Sequence, residues 1–194
     1  TRVRSIISGV KTNIRFFSHS LPFCFAFALA ACGGLDTFTI EQTAQTTVSG
    51  ASILEQLAGD LGFDDLATFD VTENETLANQ GVTKNQIDSV TISTLSLRVL
   101  SPMDGDFTFL DSLEFFVSSG DMQTERIASG GPFAMGDSEV FMNIDMVELV
   151  PYATADSMMI TTQVEGRIPD QETQIEARIE LLVDVSVTGL LSGD

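Results

Sequence analysis

The residues able to do chemistry are unevenly spread along this chain. Both cysteines, Cys24 and Cys32, and the single histidine, His19, fall within the first 32 positions. A chain cut before Cys32 therefore has no histidine for a Ser-His-Asp or Cys-His arrangement. Zinc, which usually draws on His or Cys, would find no such ligand set either. A Ser-Lys pair would have to use Lys84, which sits in the polar run NQGVTKNQ where a lysine is ordinarily solvated. Hard-oxygen chemistry has more material. In MDGDFTFLD, Asp104, Asp106 and Asp111 are weak calcium candidates. Their spacing departs from the EF-hand loop, and Asp104-Gly105 between two strand patterns reads first as a hairpin turn. Asp64-Asp65 is a weaker pair of the same kind.

Other chemistries fare no better. Carboxylate pairs of the glycosidase type stay open on numbers alone, with 28 Asp and Glu present. There is no Trp and only one Tyr, Tyr152, so flat platforms for stacking sugars are scarce. The seven methionines lie between Met103 and Met159. Thioethers bind Cu(I), but Met158 and Met159 should point to opposite faces of a strand. Met142 and Met146 alternate with Ile144, which is how core filler is spaced. The expectation is a protein that is not an enzyme, with a carboxylate-based hydrolase as the remote alternative.

Charge marks two regions. Arg2, Arg4, Lys11 and Arg15 precede Leu21, and the first acidic residue is Asp36. Beyond Ala31 stand the other five of nine basic residues and all 28 acidic ones, a net of −23. A basic stretch, the uncharged run Leu21–Ala31 and then small residues form the layout of an export signal. The run is too short for a membrane span, which needs about 20 apolar residues. The acidic remainder has Arg98, Arg126, Arg167 and Arg178 scattered singly, so nucleic acid is not an expected partner. Each of these arginines is expected to pair with a carboxylate across a strand.

The run ends in Leu29-Ala30-Ala31-Cys32, which resembles the lipobox of bacterial lipoproteins. The resemblance implies cleavage between Ala31 and Cys32, after the Cys32 thiol has received a diacylglyceryl group. Residues 1–31 would be the signal peptide, 32–36 a short lipid-anchored tether, and 37–194 one domain. Cys32 would carry the covalent lipid (diacylglycerol and an acyl chain such as palmitate) as its only cofactor. Cys24 would leave with the signal, so no intramolecular disulfide is expected and the domain must stand on its own core. Gly33 after the cysteine, in place of an aspartate, resembles the outer-membrane class, on either its periplasmic or its cell-surface face.

The elements come from periodicity. From Ile175 to Val187 apolar and polar residues alternate over more than a dozen positions, a long half-buried strand. SMMITTQVEG alternates before it, and Pro169-Asp170 between them suits a turn, so residues 157–187 are expected to form a β-hairpin. DSVTISTLSLRVL switches phase near Ser93-Thr94, which predicts a bulge. Met142, Ile144 and Met146 are expected on one face. Residues 51–61 have helical spacing (Ile53, Leu54, Leu57, Leu61), and short helical turns are expected within 64–82. Six to eight strands with little helix predict an all-β antiparallel β-sandwich with one short helical segment near residues 51–61. The expected function is a membrane-anchored envelope or surface module that binds an unknown protein or glycan. The alternative is a calcium-dependent or small-ligand binder.

Overall fold

The computed structural model describes residues 37–50, 56–63, 71, 74–155 and 158–186. Among them are nine strands: β1 (Thr37–Val48), β2 (Gln56–Gly59), β3 (Ile87–Ser101), β4 (Leu110–Ser118), β5 (Glu125–Gly130), β6 (Glu139–Phe141), β7 (Asn143–Ile144), β8 (Met159–Arg167) and β9 (Thr173–Val185). Two short helices, α1 (Glu75–Asn79) and α2 (Val150–Ala153), lie between strands. The strands form two antiparallel sheets, ordered β1-β9-β3-β6 and β2-β8-β4-β5-β7. This is the all-β antiparallel sandwich that the alternation predicts.

The first sheet is built on β9. Its inward residues Ile175, Ala177, Ile179, Leu181, Val183 and Val185 are all buried. Their outward neighbours carry the charge, so one strand supplies both a core face and a solvent face. β1 follows the same rule, with Ile40, Ala44 and Val48 inward. β3 contains the expected bulge: its register against β9 shifts between Ile92 and Thr94, and the buried set moves from Val90 to Leu95 and Leu97. In the second sheet Leu113, Phe115 and Val117 of β4 face inward beside Ile160 and Val164 of β8. Phe63 stacks on Phe115 across the core at 6.3 Å between ring centres.

The two sheets are tied along their flanks. On one side the Asp60 carboxylate accepts from both the hydroxyl and the N–H of Thr162 in β8. Leu61 donates its N–H to Thr162 Oγ1 at 2.8 Å and accepts from Thr46 Oγ1 of β1 at 2.6 Å. Burial raises the Asp60 pKa, but the bonds from Thr162, Gly62 and Leu61 outweigh it and hold the carboxyl below its ordinary value. On the other side the chain steps from β6, paired with β3, directly into β7, paired with β5.

Four expectations need correction. Residues 157–187 do not form a hairpin: β8 pairs with β2 and β4, β9 pairs with β1 and β3, and residues 168–172 cross from one sheet to the other. Alternation shows that a strand has one buried face. It does not show whether the next strand lies beside it or across the core. For the same reason Asp104-Gly105 is not a hairpin turn, because β3 and β4 also lie in different sheets, although Gly105 does close a turn onto the Pro102 carbonyl. The helical segment near 51–61 is, in its described part, the strand β2, which pairs Gln56–Gly59 with Arg167–Val164 of β8. Gly59 and Gly62 at φ +125° and +70° end helical geometry there, and an open edge of β8 supplies the alternative hydrogen bonds. Lastly, Met146 is fully exposed while Met142 is buried, because β7 ends at Ile144 and the chain leaves the sheet. The expected helical turns within 64–82 are represented by α1, capped by Asn74 Oδ1 accepting from Thr76 N at 2.9 Å. Ile53, Leu54 and Asp64-Asp65 lie outside the described residues.

Candidate functional site

The two crossings between sheets run side by side at one end of the sandwich. The first, 102–109, leads from β3 to β4; the second, 168–172, leads from β8 to β9. They are joined by Arg167 N–H donating to the Phe109 carbonyl at 2.8 Å. Close backbone packing holds this seam. A Cβ on Gly166 would collide with the Phe109 carbonyl oxygen, and one on Gly50, just beyond β1, would lie 2.7 Å from the Gln171 carbonyl carbon. Phe107 and Phe109 turn inward from the first crossing, with rings 6.4 Å apart. Apolar side chains therefore fix the crossing while its polar residues remain outside.

Between the crossings lies a cleft of about 190 Å³ whose charged lining is Asp104, Asp106, Asp170 and Arg167. Asp106 is held firmly. Its Oδ1 accepts from Thr108 N at 3.1 Å and from the Thr108 hydroxyl at 2.6 Å, and its Oδ2 accepts from Gly136 N at 2.9 Å. These bonds, with a contribution from the nearby Arg167, keep the Asp106 carboxyl below its ordinary pKa. The same bonds fasten the 132–137 loop to the first crossing. Asp106 is thus a clamp between loops, with both oxygens engaged by protein donors.

This geometry separates the three calcium candidates. Asp104 and Asp106 line the cleft, whereas Asp111 is an exposed residue of β4. Among the described residues no group of three His, Cys, Asp or Glu side chains is placed to hold a metal ion. Ala31 and Cys32, the residues expected from sequence at the cleavage and lipid-attachment site, lie outside the described residues. Lys84 bonds the Ala155 carbonyl at 2.9 Å. Among the described residues, arginines meet carboxylates as expected: Arg98 with Glu176 at 3.3 Å, Arg178 with Glu41 at 3.6 Å, and Arg126 with both Glu114 at 2.7 Å and Asp145 at 2.8 Å.

Two structural carboxylates were not singled out from sequence. Asp60 is the flank tie described above. Glu148 accepts from Val90 N at 2.7 Å, Ser89 Oγ at 2.7 Å and Val150 N at 3.1 Å, so that burial, which raises its pKa, is overcome by these donors. A local signal did exist for Asp60, as for Asp106. Asp60-x-Gly62 and Asp106-x-Thr108 have the spacing at which an aspartate bonds its own backbone two residues on. Glu148 has no such signal for Val90, 58 positions away.

No family model and no curated protein matches the chain. Solved structures to which the chain shows similarity include two capsid proteins. One is the 60-mer BFDV capsid protein, 8% identical, with 77% of this chain and 92% of that chain covered and a TM-score of 0.39. The other is the decameric BFDV capsid protein, 10% identical, with 77% and 98% covered and a TM-score of 0.41.

Proposed function

We propose that the chain is a bacterial lipoprotein, exported and anchored through lipid on Cys32, whose sandwich is a non-catalytic binding module. The observation that carries the reading is Leu29-Ala30-Ala31-Cys32, five positions before β1. Two or more acyl chains, at about 0.8 kcal/mol per buried methylene, anchor a protein stably. The tether from Cys32 to Asp36 spans at most about 18 Å, so the Thr37 end of β1 stays near the bilayer. Thr37 pairs with Asp184 and Val48 with Thr173, which sets the cleft at the other end of a 12-residue strand, roughly 40 Å from Thr37. The end with the open cleft and the exposed loops then faces away from the lipid, where a partner would meet it. The strongly acidic domain is repelled by anionic headgroups, which leaves attachment to the lipid on Cys32.

The test is membrane fractionation and protease shaving of whole cells expressing the native chain or Cys32→Ala. Release of the variant with retention of the native protein supports the anchor. Shaving of the native domain from intact cells assigns it to the cell surface, and protection assigns it to the periplasm. A Cys32→Ala protein that stays with the membrane overturns the reading.

A further inference from the structure

The sandwich has four sheet edges among its described strands: β1 and β6 in one sheet, β2 and β7 in the other. At β6 an edge coincides with a shallow hollow that several apolar side chains border. A shallow groove of about 460 Å³ runs between β6 and the 130–137 loop; Pro132, Phe133, Ala134, Val140 and Phe141 are among its lining residues, and more of its open surface is polar than apolar. Phe141 is 68% exposed, an unusual state for a phenylalanine in a strand. Met142 beneath the loop is buried, and a Cβ on Gly130 would lie 2.8 Å from its Cε. The loop therefore rests on packed core beside the groove, and the groove has a firm wall.

The backbone direction of β6 follows from its hydrogen bonds. Val99 N–H donates to the Ser138 carbonyl at 2.8 Å, and Met142 N–H donates to the Leu95 carbonyl at 2.9 Å. Leu97 stands opposite Val140 between them. Residues 138, 140 and 142 thus turn their polar groups toward β3, and Glu139 and Phe141 turn theirs outward, on the free side of the strand. Outward N–H and C=O groups beside exposed apolar side chains are what strand addition uses: backbone bonds give attachment and alternate side chains make the remaining contacts.

Charge decides the occupant. The charged residues lining the groove are Asp137 and Glu139, both acidic. The nearest register partner of opposite sign, Arg98, is drawn to Glu176 on its other side. A second copy of this chain would bring the same two acids and a net charge of −19 against them, which disfavours self-pairing. We infer that the β6 groove binds a short extended protein segment with an apolar or aromatic side chain flanked two residues away on each side by Lys or Arg. Residues two apart share a face of a strand, so an apolar group set against Phe141 places a cation two residues away beside Glu139, with Asp137 just beyond it, and a cation on each side serves either strand direction. This deepens the binding-module reading and rests on it only for the partner being a protein.

The experiment is a titration of the ¹⁵N-labelled full chain in detergent with the blocked peptide Lys-Thr-Phe-Thr-Lys, followed by amide chemical shifts. Expected are shifts centred on Gly131, Glu139 and Phe141 and a Kd in the range of about 0.1–1 mM. Glu-Thr-Phe-Thr-Glu should bind about tenfold more weakly. Phe141→Ala, an exposed position that leaves the core intact, should weaken the basic peptide about fivefold or more. Asp137→Asn with Glu139→Gln should weaken it and remove its salt dependence. Absence of shifts at several times that concentration, equal binding of the acidic peptide, or shifts centred on the 102–109 and 168–172 crossings would each overturn the inference. So would peptide-independent, concentration-dependent broadening around Phe141, which would assign the groove to a second copy. The titration is indifferent to the lipid, so its failure leaves the fractionation result standing, and the reverse also holds.

Discussion

The two ends of the sandwich are closed in different ways. At the end where β1 begins, the chain folds inward. Leu149, Tyr152 and Ala153 are buried, and Leu149 N–H bonds the Val90 carbonyl at 2.8 Å. Glu148 clamps Ser89 and Val90, and the Tyr152 hydroxyl donates to the Gln123 carbonyl at 2.8 Å. Burial, with Glu125 beside it, keeps the Tyr152 phenol above its ordinary pKa. At the other end the two crossings pass over the core with their polar residues outward, leaving the cleft and the exposed Met103 and Met135. The contrast teaches that one end is closed by a buried helical turn and the other by two inward phenylalanines, backbone proximity and one aspartate clamp, with its polar residues left outside.

Substitutions can break or sharpen that contrast. The largest effect is expected at the sealed end: Leu149→Ala removes a wholly buried side chain and should cost about 2–5 kcal/mol in denaturant unfolding. A loss below about 1 kcal/mol would show that this end is not sealed as described. Gly166→Ala tests the seam at the open end, where the added Cβ meets the Phe109 carbonyl. It should cost about 1–3 kcal/mol, and a neutral result would remove backbone proximity as the closing device.

Acid should act on both ends. Asp60, Asp106 and Glu148 all have pKa values lowered by folding. Groups with depressed folded pKa values stabilise above their unfolded values and lose that contribution as pH falls through the folded ones. Melting temperature should hold from neutral pH to about pH 5 and drop progressively below about pH 4. Glu148→Gln should flatten part of that drop and lower stability at pH 7 by about 1–3 kcal/mol. A melting profile that stays level through acid would contradict the clamp roles. The smallest effect is expected from Met103→Ala, fully exposed on the first crossing, at within about 0.5 kcal/mol. A larger loss would mean that the open end carries more of the fold than its exposure implies.

The strand content was legible because period two follows from burying one face of a strand, and β1, β8 and β9 each carry that pattern over nine residues or more. The bulge near Ser93-Thr94 was legible for the same reason, since a phase switch is an extra residue made visible. Arginine pairing was also within reach, given so few bases among so many acids. Partner choice was not. The β8–β9 connection resembles a hairpin in sequence and crosses the core in the structure, because the energy that decides between the two comes from distant strands competing for the same edges. β2 shows this most plainly: helical spacing in Leu57 and Leu61 yields to an open edge of β8 some 100 positions later in the chain.

By itself the sequence determined the Leu29–Cys32 motif on which the anchor proposal rests, the acidity of the rest and the existence of an amphipathic all-β domain. These depend on residue type and local period alone. Only tertiary structure decided that two crossings converge into one cleft, that Asp106 spends both oxygens on neighbouring loops, and that Phe141 stands exposed at a free edge. Those facts depend on which segments meet, and long-range pairing settles that through buried area and backbone hydrogen bonds that no local window contains.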